Sequence, residues 1–267
     1  MKQKIIVKGP ALTRSGYGEQ TRFALRALRS RPDLFEVYIQ PLIWGKTSWI
    51  SEQSEERIYI DQCIEKTIQF IQQGGRFDMS LQVTIPNEFE EMATVNVGYT
   101  AGIESTACSA QWLEVTNKVV NNIIVVSSFS EKAFTETVYT GEVNGQPVQL
   151  KLEKPIDHVN YAVKDYENVE PLDLPLDYDV NFVSVAQWGP RKNMGATVKW
   201  FIEEFHDDEV GLVIKSNIAK NCVMDREHMM QRLMNEFVDR YPDKKCKIYL
   251  IHGDMTEAEM HALYKHS

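Results

Sequence analysis

Between Phe182 and Lys215 the sequence reads FVSVAQWGPRKNMGATVKWFIEEFHDDEVGLVIK, and few folds accommodate it. An apolar run, a basic turn, a helical stripe of Met194, Val198, Phe201, Ile202 and Phe205, and a second apolar run ending on a lysine make the pattern of a parallel strand-helix-strand unit. In such a unit the Arg191-Lys192 turn and Lys215 both fall at carboxyl ends of strands, where open α/β sheets place their ligands. The formal net charge is −9, from 29 Lys and Arg against 38 Asp and Glu. Against that background, two cationic spots converging on one crevice point to a bound anion such as a diphosphate. A solvated basic turn beside a strand-end lysine is the plainer alternative.

The same alternation runs through the rest of the chain. Ile5-Ile6-Val7 predicts a buried strand, GPALTRSGYGEQ a glycine-bearing loop, and Phe23, Ala24, Ala27 and Leu28 a helix. The loop residues Gly16, Tyr17 and Gly18 let backbone approach a ligand at a helix N-terminus, although the spacing is not G-x-G-x-x-G. A plain strand-to-helix connection explains them equally. Further strands are expected at Phe35 to Ile39, Phe77 to Val83, Thr94 to Tyr99, Asn122 to Ser127 and His158 to Val163. Ile60, Ile64, Ile68 and Ile71 mark a helix that Gly74-Gly75 stops. A third helix opens near Ser109, and a fourth at Ser128, where Ser128 and Glu131 form a capping box. Asn144-Gly145 signals a hairpin excursion near 138–152.

Beyond an acidic, proline-bearing linker between roughly Lys164 and Asp179 the pattern restarts. The domains are therefore expected at 1–170 and 178–267. In the second, Asp225 is placed to cap a helix carrying Met229, Met230, Leu233, Met234, Phe237, Val238 and Tyr241; Lys247 to Ile251 is a strand, and Thr256 with Glu259 forms another capping box. The fold class is α/β.

An acidic chain that is 43% hydrophobic and 25% charged is of ordinary globular composition and lacks the cationic balance of a nucleic-acid binder. MKQKIIVKGP is no signal peptide, and no apolar run spans a bilayer. The cytoplasm is the expected compartment, with peripheral membrane contact left open. Cys63, Cys108, Cys222 and Cys246 are too scattered for a disulfide framework or a zinc site. No H-x-E, H-E-x-x-H or Ser/His/Asp arrangement involves the histidines, His158 and His252 among them, so no metal site and no nucleophile triad is expected. Asp177-Tyr178-Asp179 spells a D-x-D, but in a linker it reads as a solvated turn.

Arg supplies a planar fork of donors and Lys a point charge, each bond to a charged group contributing roughly 1.5–3 kcal/mol. Arg191, Lys192 and Lys215 are the donors in question. Among carboxylates Glu104, after a strand end in TAGIES, is placed to orient a hydroxyl or act as a base; a helix N-terminal Glu facing the dipole is the alternative.

SVAQWGPRKNMGATVKWFIEEF followed by VGLVIKS resembles the donor-binding half of glycosyltransferase family 4, of the GT-B fold. SGYGEQTR is similar to that family's first glycine loop, VGYTAGIES with Trp112 and Asn117 to its acceptor-side segment, and IIVVSSFSEKAF and HVNYAVKDYE to segments before and at the domain junction. KIYLIHGDMTEAEMHALY resembles the stretch preceding its E-x7-E region. The resemblance implies two Rossmann-like domains, the C-terminal one incomplete because the sugar-contacting segment has no counterpart before Ser267. It implies a transferase that moves a sugar from a nucleotide-diphosphate sugar to a glycan or other small acceptor, with retention and generally without a metal or other cofactor. Arg191, Lys192 and Lys215 would bind the diphosphate. Gln187 and Ala162 stand where the family often has Arg and Gly. A nucleotide or sugar-phosphate binding module without turnover is the competing reading, and a nicotinamide-dependent enzyme is disfavoured by the glycine spacing.

Overall fold

Short apolar runs alternating with helices fold here into parallel sheets. In the computed structural model, which describes residues 2–45, 47–101, 103–143, 145–163 and 169–266, the chain divides into two compact units: Met1–Gly45 with Trp49–Val163, and Lys46–Ser48 with Lys164–Ser267.

The first unit contains, in chain order, β1 (Gln3–Gly9), α1 (Gly16–Arg29), β2 (Phe35–Pro41), α2 (Glu55–Gln72), β3 (Phe77–Val83), β4 (Ala93–Tyr99), α3 (Ala110–Val119), β5 (Asn122–Val125), α4 (Ser128–Glu136), the antiparallel hairpin β6 (Tyr139–Val143) and β7 (Gln146–Leu150), and β8 (Ile156–His158). Six of the strands form one parallel sheet in the order β2-β1-β3-β4-β5-β8. The order reverses between β1 and β3, a topological switch point. On one face Ile5, Val7, Val37, Ile39 and Val83 pack against Ala24 and Leu25 of α1 and Ile60 and Cys63 of α2. Each such fully buried large side chain contributes roughly 1.5–3 kcal/mol.

The opposite face is built differently. Parallel strands normally need a crossover of a dozen or more residues, yet β3 reaches β4 through residues 84–92 with a single 3-10 turn, Pro86–Glu88. A loop in place of a helix brings backbone groups that need partners, and the strands supply them. Gln82 donates to the Glu90 carbonyl at 2.7 Å and accepts from the Glu90 amide at 2.9 Å. Ser80 reaches Asn96 at 2.8 Å. The Lys8 ammonium donates to the Glu88 carbonyl at 2.7 Å and pairs with the Glu90 carboxylate at 3.1 Å. Lys8, Ser80, Gln82 and Asn96 are all buried.

Several expected details shift. The buried stripe of α2 is Ile60, Cys63 and Thr67, while Ile68 and Ile71 are exposed. Thr67 is held inside by two bonds, accepting the Ile39 amide on edge strand β2 and donating to the Cys63 carbonyl. On α1, Ala27 is exposed. The α4 cap is Ser127, whose hydroxyl accepts from Ser130 N at 3.1 Å, and Glu131 instead meets His158 at 2.5 Å. The last strand is Ile156–His158, two residues before the expected start, and ends where Val159 N donates to Val125 O. Gly145, at φ 75°, turns the hairpin; its neighbour Asn144 lies outside the described residues, as do Gly102 of TAGIES and residues 164–168 of the linker.

The second unit contains β9 (Asn181–Val185), α5 (Met194–Glu204), β10 (Gly211–Lys215), α6 (Val223–Leu233) running into a π-helical turn at Met234–Val238, β11 (Lys247–Ile251) and α7 (Glu257–His266). Its three strands are parallel in the order β11-β10-β9. Met194, Val198, Phe201 and Ile202 of α5 meet Leu212 and Ile214 of β10 and Met229, Leu233 and Phe237. Met230 and Met234, expected on the same stripe, are exposed. The Thr256–Glu259 capping box is present in both directions, at 2.6 and 3.2 Å.

Candidate functional site

The carboxyl edge of the second sheet is assembled from three strand ends. After β9 the chain stays in register for one more bond, Ala186 N to Lys215 O, and Trp188 N then donates to Asn217 O at 2.7 Å. The Trp188 ring is buried against Phe237, with the Arg232 guanidinium 5.4 Å above it. Pinned there, the chain makes a 3-10 turn at Pro190–Lys192 that carries Arg191 and Lys192 into solvent. Asn193 closes it at φ 51°, the one described non-glycine residue in the left-handed region, and α5 begins at the next residue. Asn tolerates that conformation better than other side chains. The exposed cations thus stand at a helix N-terminus, whose partial positive charge favours anions.

Lys215 ends β10 directly opposite Val185 of β9. Its ammonium donates to the carbonyl of Gly253, a residue that needs glycine at φ 111°. An ammonium carries three donors, so a carbonyl partner does not bar it from holding an anion as well. The next residue, Ser216, is buried with no partner for its hydroxyl.

One part of this edge carries no signal in the sequence. Helical spacing makes Asp225 the cap of α6, but the cap is Cys222 and Asp225 lies in the first turn. Its carboxylate accepts the backbone amides of Ile218 (2.9 Å), Ala219 (2.7 Å) and Lys220 (2.9 Å), and meets His252 Nε2 at 2.9 Å. Burial opposes the charge, but the three amides and the histidine prevail, holding the carboxyl at about 2. Asp225 therefore acts as an internal anion that shapes the loop after β10 and ties it to the end of β11. Gln187 completes the set by donating to Ile218 O at 3.0 Å. Neither Asp225 nor His252 belongs to a recognisable spacing, since they are 27 residues apart.

The candidate residues of the first unit sit at its own carboxyl edge. Gly16 and Gly18 open α1, capped by Ser15, whose hydroxyl accepts from Gly18 N at 3.0 Å. A Cβ on Gly18 would come within 2.1 Å of Thr13 O, whereas one on Gly16 would meet open space. Buried Arg22 holds the same loop from within, donating to Ala11 O and Thr13 O. Gly18 thus serves close packing of the loop on its helix. Tyr17 is tied by its hydroxyl to Ala101 O at 2.7 Å and to Thr100 at 3.0 Å. Glu104 is exposed in the loop before α3, well short of the helix start at Ala110, which removes the helix-dipole alternative. Trp112 donates to Asn87, and Asn117 fastens Lys151 O and Glu153 N after β7, so both are engaged by the fold.

The D-x-D residue Asp177 is fixed by Lys247 at 2.9 Å and the Tyr249 hydroxyl at 2.8 Å, which hold its carboxyl below the usual range. Among the described residues no group of three His, Cys, Asp or Glu side chains is placed to hold a metal ion, and no helix is long and apolar enough to cross a membrane.

No protein-family model matches the sequence, and no curated protein sequence matches it significantly. Among solved structures, the chain is similar to the crystal structure of Acinetobacter baumannii MurG, with a TM-score of 0.41 and 10% identity over 98% of this chain and 69% of that one.

Proposed function

We propose that this chain belongs to a nucleotide-sugar-dependent glycosyltransferase of GT-B architecture, with the diphosphate of the donor held at the carboxyl edge of the second sheet. The observation that carries the reading is the exposed Arg191-Lys192 turn leading into the N-terminus of α5, beside the strand that ends on Lys215. In the reaction the bond between the anomeric carbon and the diphosphate oxygen breaks, and the leaving group keeps the electron pair. A bond forms from that carbon to an acceptor oxygen, whose proton passes to a base. The cations and the helix terminus would stabilise the charge developing on the diphosphate. Glu104 is proposed as the group that orients the acceptor hydroxyl or takes its proton. Retention is carried only by the sequence resemblance.

Titration calorimetry with UDP, GDP and ADP tests the donor site. Because Lys215 also supports Gly253, the variant of choice is the exposed pair on the turn, Arg191→Ala/Lys192→Ala. It should weaken nucleoside diphosphate binding about tenfold or more, two lost charge-assisted bonds being worth more than ~1.4 kcal/mol. Unchanged affinity, or no nucleotide binding by the intact chain, would defeat the proposal. Binding without sugar transfer would instead leave a nucleotide-binding module.

A further inference from the structure

The loops after β10 and β11 are tied to each other at two points, one on either side of Gly253. On one side, His252 Nε2 meets the Asp225 carboxylate at 2.9 Å, and both side chains are less than a tenth exposed, at 4% and 7%. That carboxyl lies well below its usual range, so it is ionised and the imidazole N–H donates. On the other side, Asn221 Nδ2 donates to the Asp254 carboxylate at 2.5 Å. Asp225 also gathers the amides of Ile218, Ala219 and Lys220. Residues 218–225 therefore make one bracket that holds both neighbours of Gly253.

Gly253 itself stands at φ 111°, a backbone conformation that glycine adopts readily and other residues do not, and its carbonyl accepts the Lys215 ammonium. A point charge on a flexible lysine stem has no fixed place of its own. A carbonyl partner fixes it while leaving further N–H donors for an anion. The direction of the Gly253 carbonyl thus sets where the ammonium stands, and the ties on His252 and Asp254 set that direction. Stability alone gives a poor account of the buried pair, because exchanging buried charges for well-packed apolar groups is often neutral or stabilising. What apolar groups do not supply is a directional hold on the next peptide.

We propose that the Asp225–His252 pair, helped by the Asn221–Asp254 tie, positions the Lys215 ammonium for an anionic ligand. Asp225 and His252 are buried, so they are positioning residues that act on the ligand through Lys215. That the ligand is a nucleoside diphosphate rests on the reading above; the placement of the ammonium does not.

The test is a proton–nitrogen correlation spectrum of the lysine ammonium groups of the whole chain, with Lys215→Arg identifying the Lys215 signal, followed by UDP titration of the same samples. A held ammonium exchanges slowly with water and gives a signal. It should persist in His252→Gln, whose amide N–H still reaches Asp225, and vanish in His252→Leu. Thr256→Ala, which breaks the capping box just downstream, controls for general loosening and should leave the signal unchanged. UDP affinity should fall about fivefold in His252→Leu, and no further when Lys215→Ala is already present, the mark of two residues acting through one interaction. Should His252→Leu fail to fold, Asn221→Ala cuts the other tie and should weaken the same signal. A Lys215 signal as strong in His252→Leu or Asn221→Ala as in Thr256→Ala, or additive losses of affinity in the double variant, overturns the inference. The expected signal pattern without nucleotide binding by the intact chain defeats only the donor site. Nucleotide binding with an unaltered Lys215 signal in the variants defeats only the positioning.

Discussion

Lys8 lies at the carboxyl end of the first strand of one sheet, and the pair Arg191-Lys192 in the turn that follows the first strand of the other. Lys8 is 3% exposed and its ammonium is engaged by Glu88 and Glu90. Arg191 and Lys192 ride an exposed turn into a helix N-terminus. The first edge turns its charges inward to hold a loop that replaces a helix. The second presents charge outward and uses an acid of its own, Asp225, to shape the neighbouring loop. Position near a strand end therefore does not decide whether a cation is buried in the fold or presented to solvent. What decides is whether the adjoining loop leaves polar backbone to be satisfied.

The largest effect should come from Gly18→Ala. With Thr13 O only 2.1 Å from the new Cβ, the glycine loop must shift, costing about 3 kcal/mol by overpacking. Gly16→Ala, facing open space, should cost less than about 0.5 kcal/mol. Urea unfolding of the two variants compares them, and equal losses would mean the loop is not packed as described.

Asp225→Asn ranks second. An amide cannot accept three backbone N–H groups and His252 as a carboxylate does, so about 2 kcal/mol of stability should be lost at neutral pH. The folded carboxyl sits at about 2, below its ordinary value of 3.8. Its contribution is thus fully present above pH 4 and disappears as pH falls toward 2. Acid titration of stability should flatten over that window in the variant; an unaltered profile would remove Asp225 as the loop's anchor.

The smallest stability effect sharpens the comparison most. Lys8→Met should destabilise by about 1–2 kcal/mol, because it orphans the Glu88 carbonyl, and should leave nucleotide affinity unchanged. Arg191→Ala/Lys192→Ala should change stability by less than about 0.5 kcal/mol while lowering that affinity. Finding the reverse pattern would exchange the roles of the two edges.

Much of the molecule is readable from local pattern. The alternation of strand and helix, the Arg191-Lys192 turn and the Thr256–Glu259 box depend on residues a few positions apart, and the structure places them accordingly. Sequence and structure part wherever a distant partner chooses between local options. Ser127 and Ser128 both suit a cap, and Glu131 prefers His158, 27 residues away. Two stripes on α2 satisfy helical periodicity, and Thr67 selects the less apolar one by capping an edge amide of β2. Asp225 reads locally as a cap because nothing nearby betrays the three amides it gathers behind it.

The crossover without a helix also bears on how the first sheet is made. Phe77 and Ala93 pair across only sixteen residues, against thirty-two for Gln3 and Phe35 and seventy-four for Ile5 and Met79. Parallel pairing is slow because chain entropy is surrendered before any contact compensates, and that cost rises with the length of the closed loop. By omitting a helix, β3 and β4 become the most local pair in an otherwise non-local sheet, a ready-made ribbon on which β1 and β5 can dock from either side.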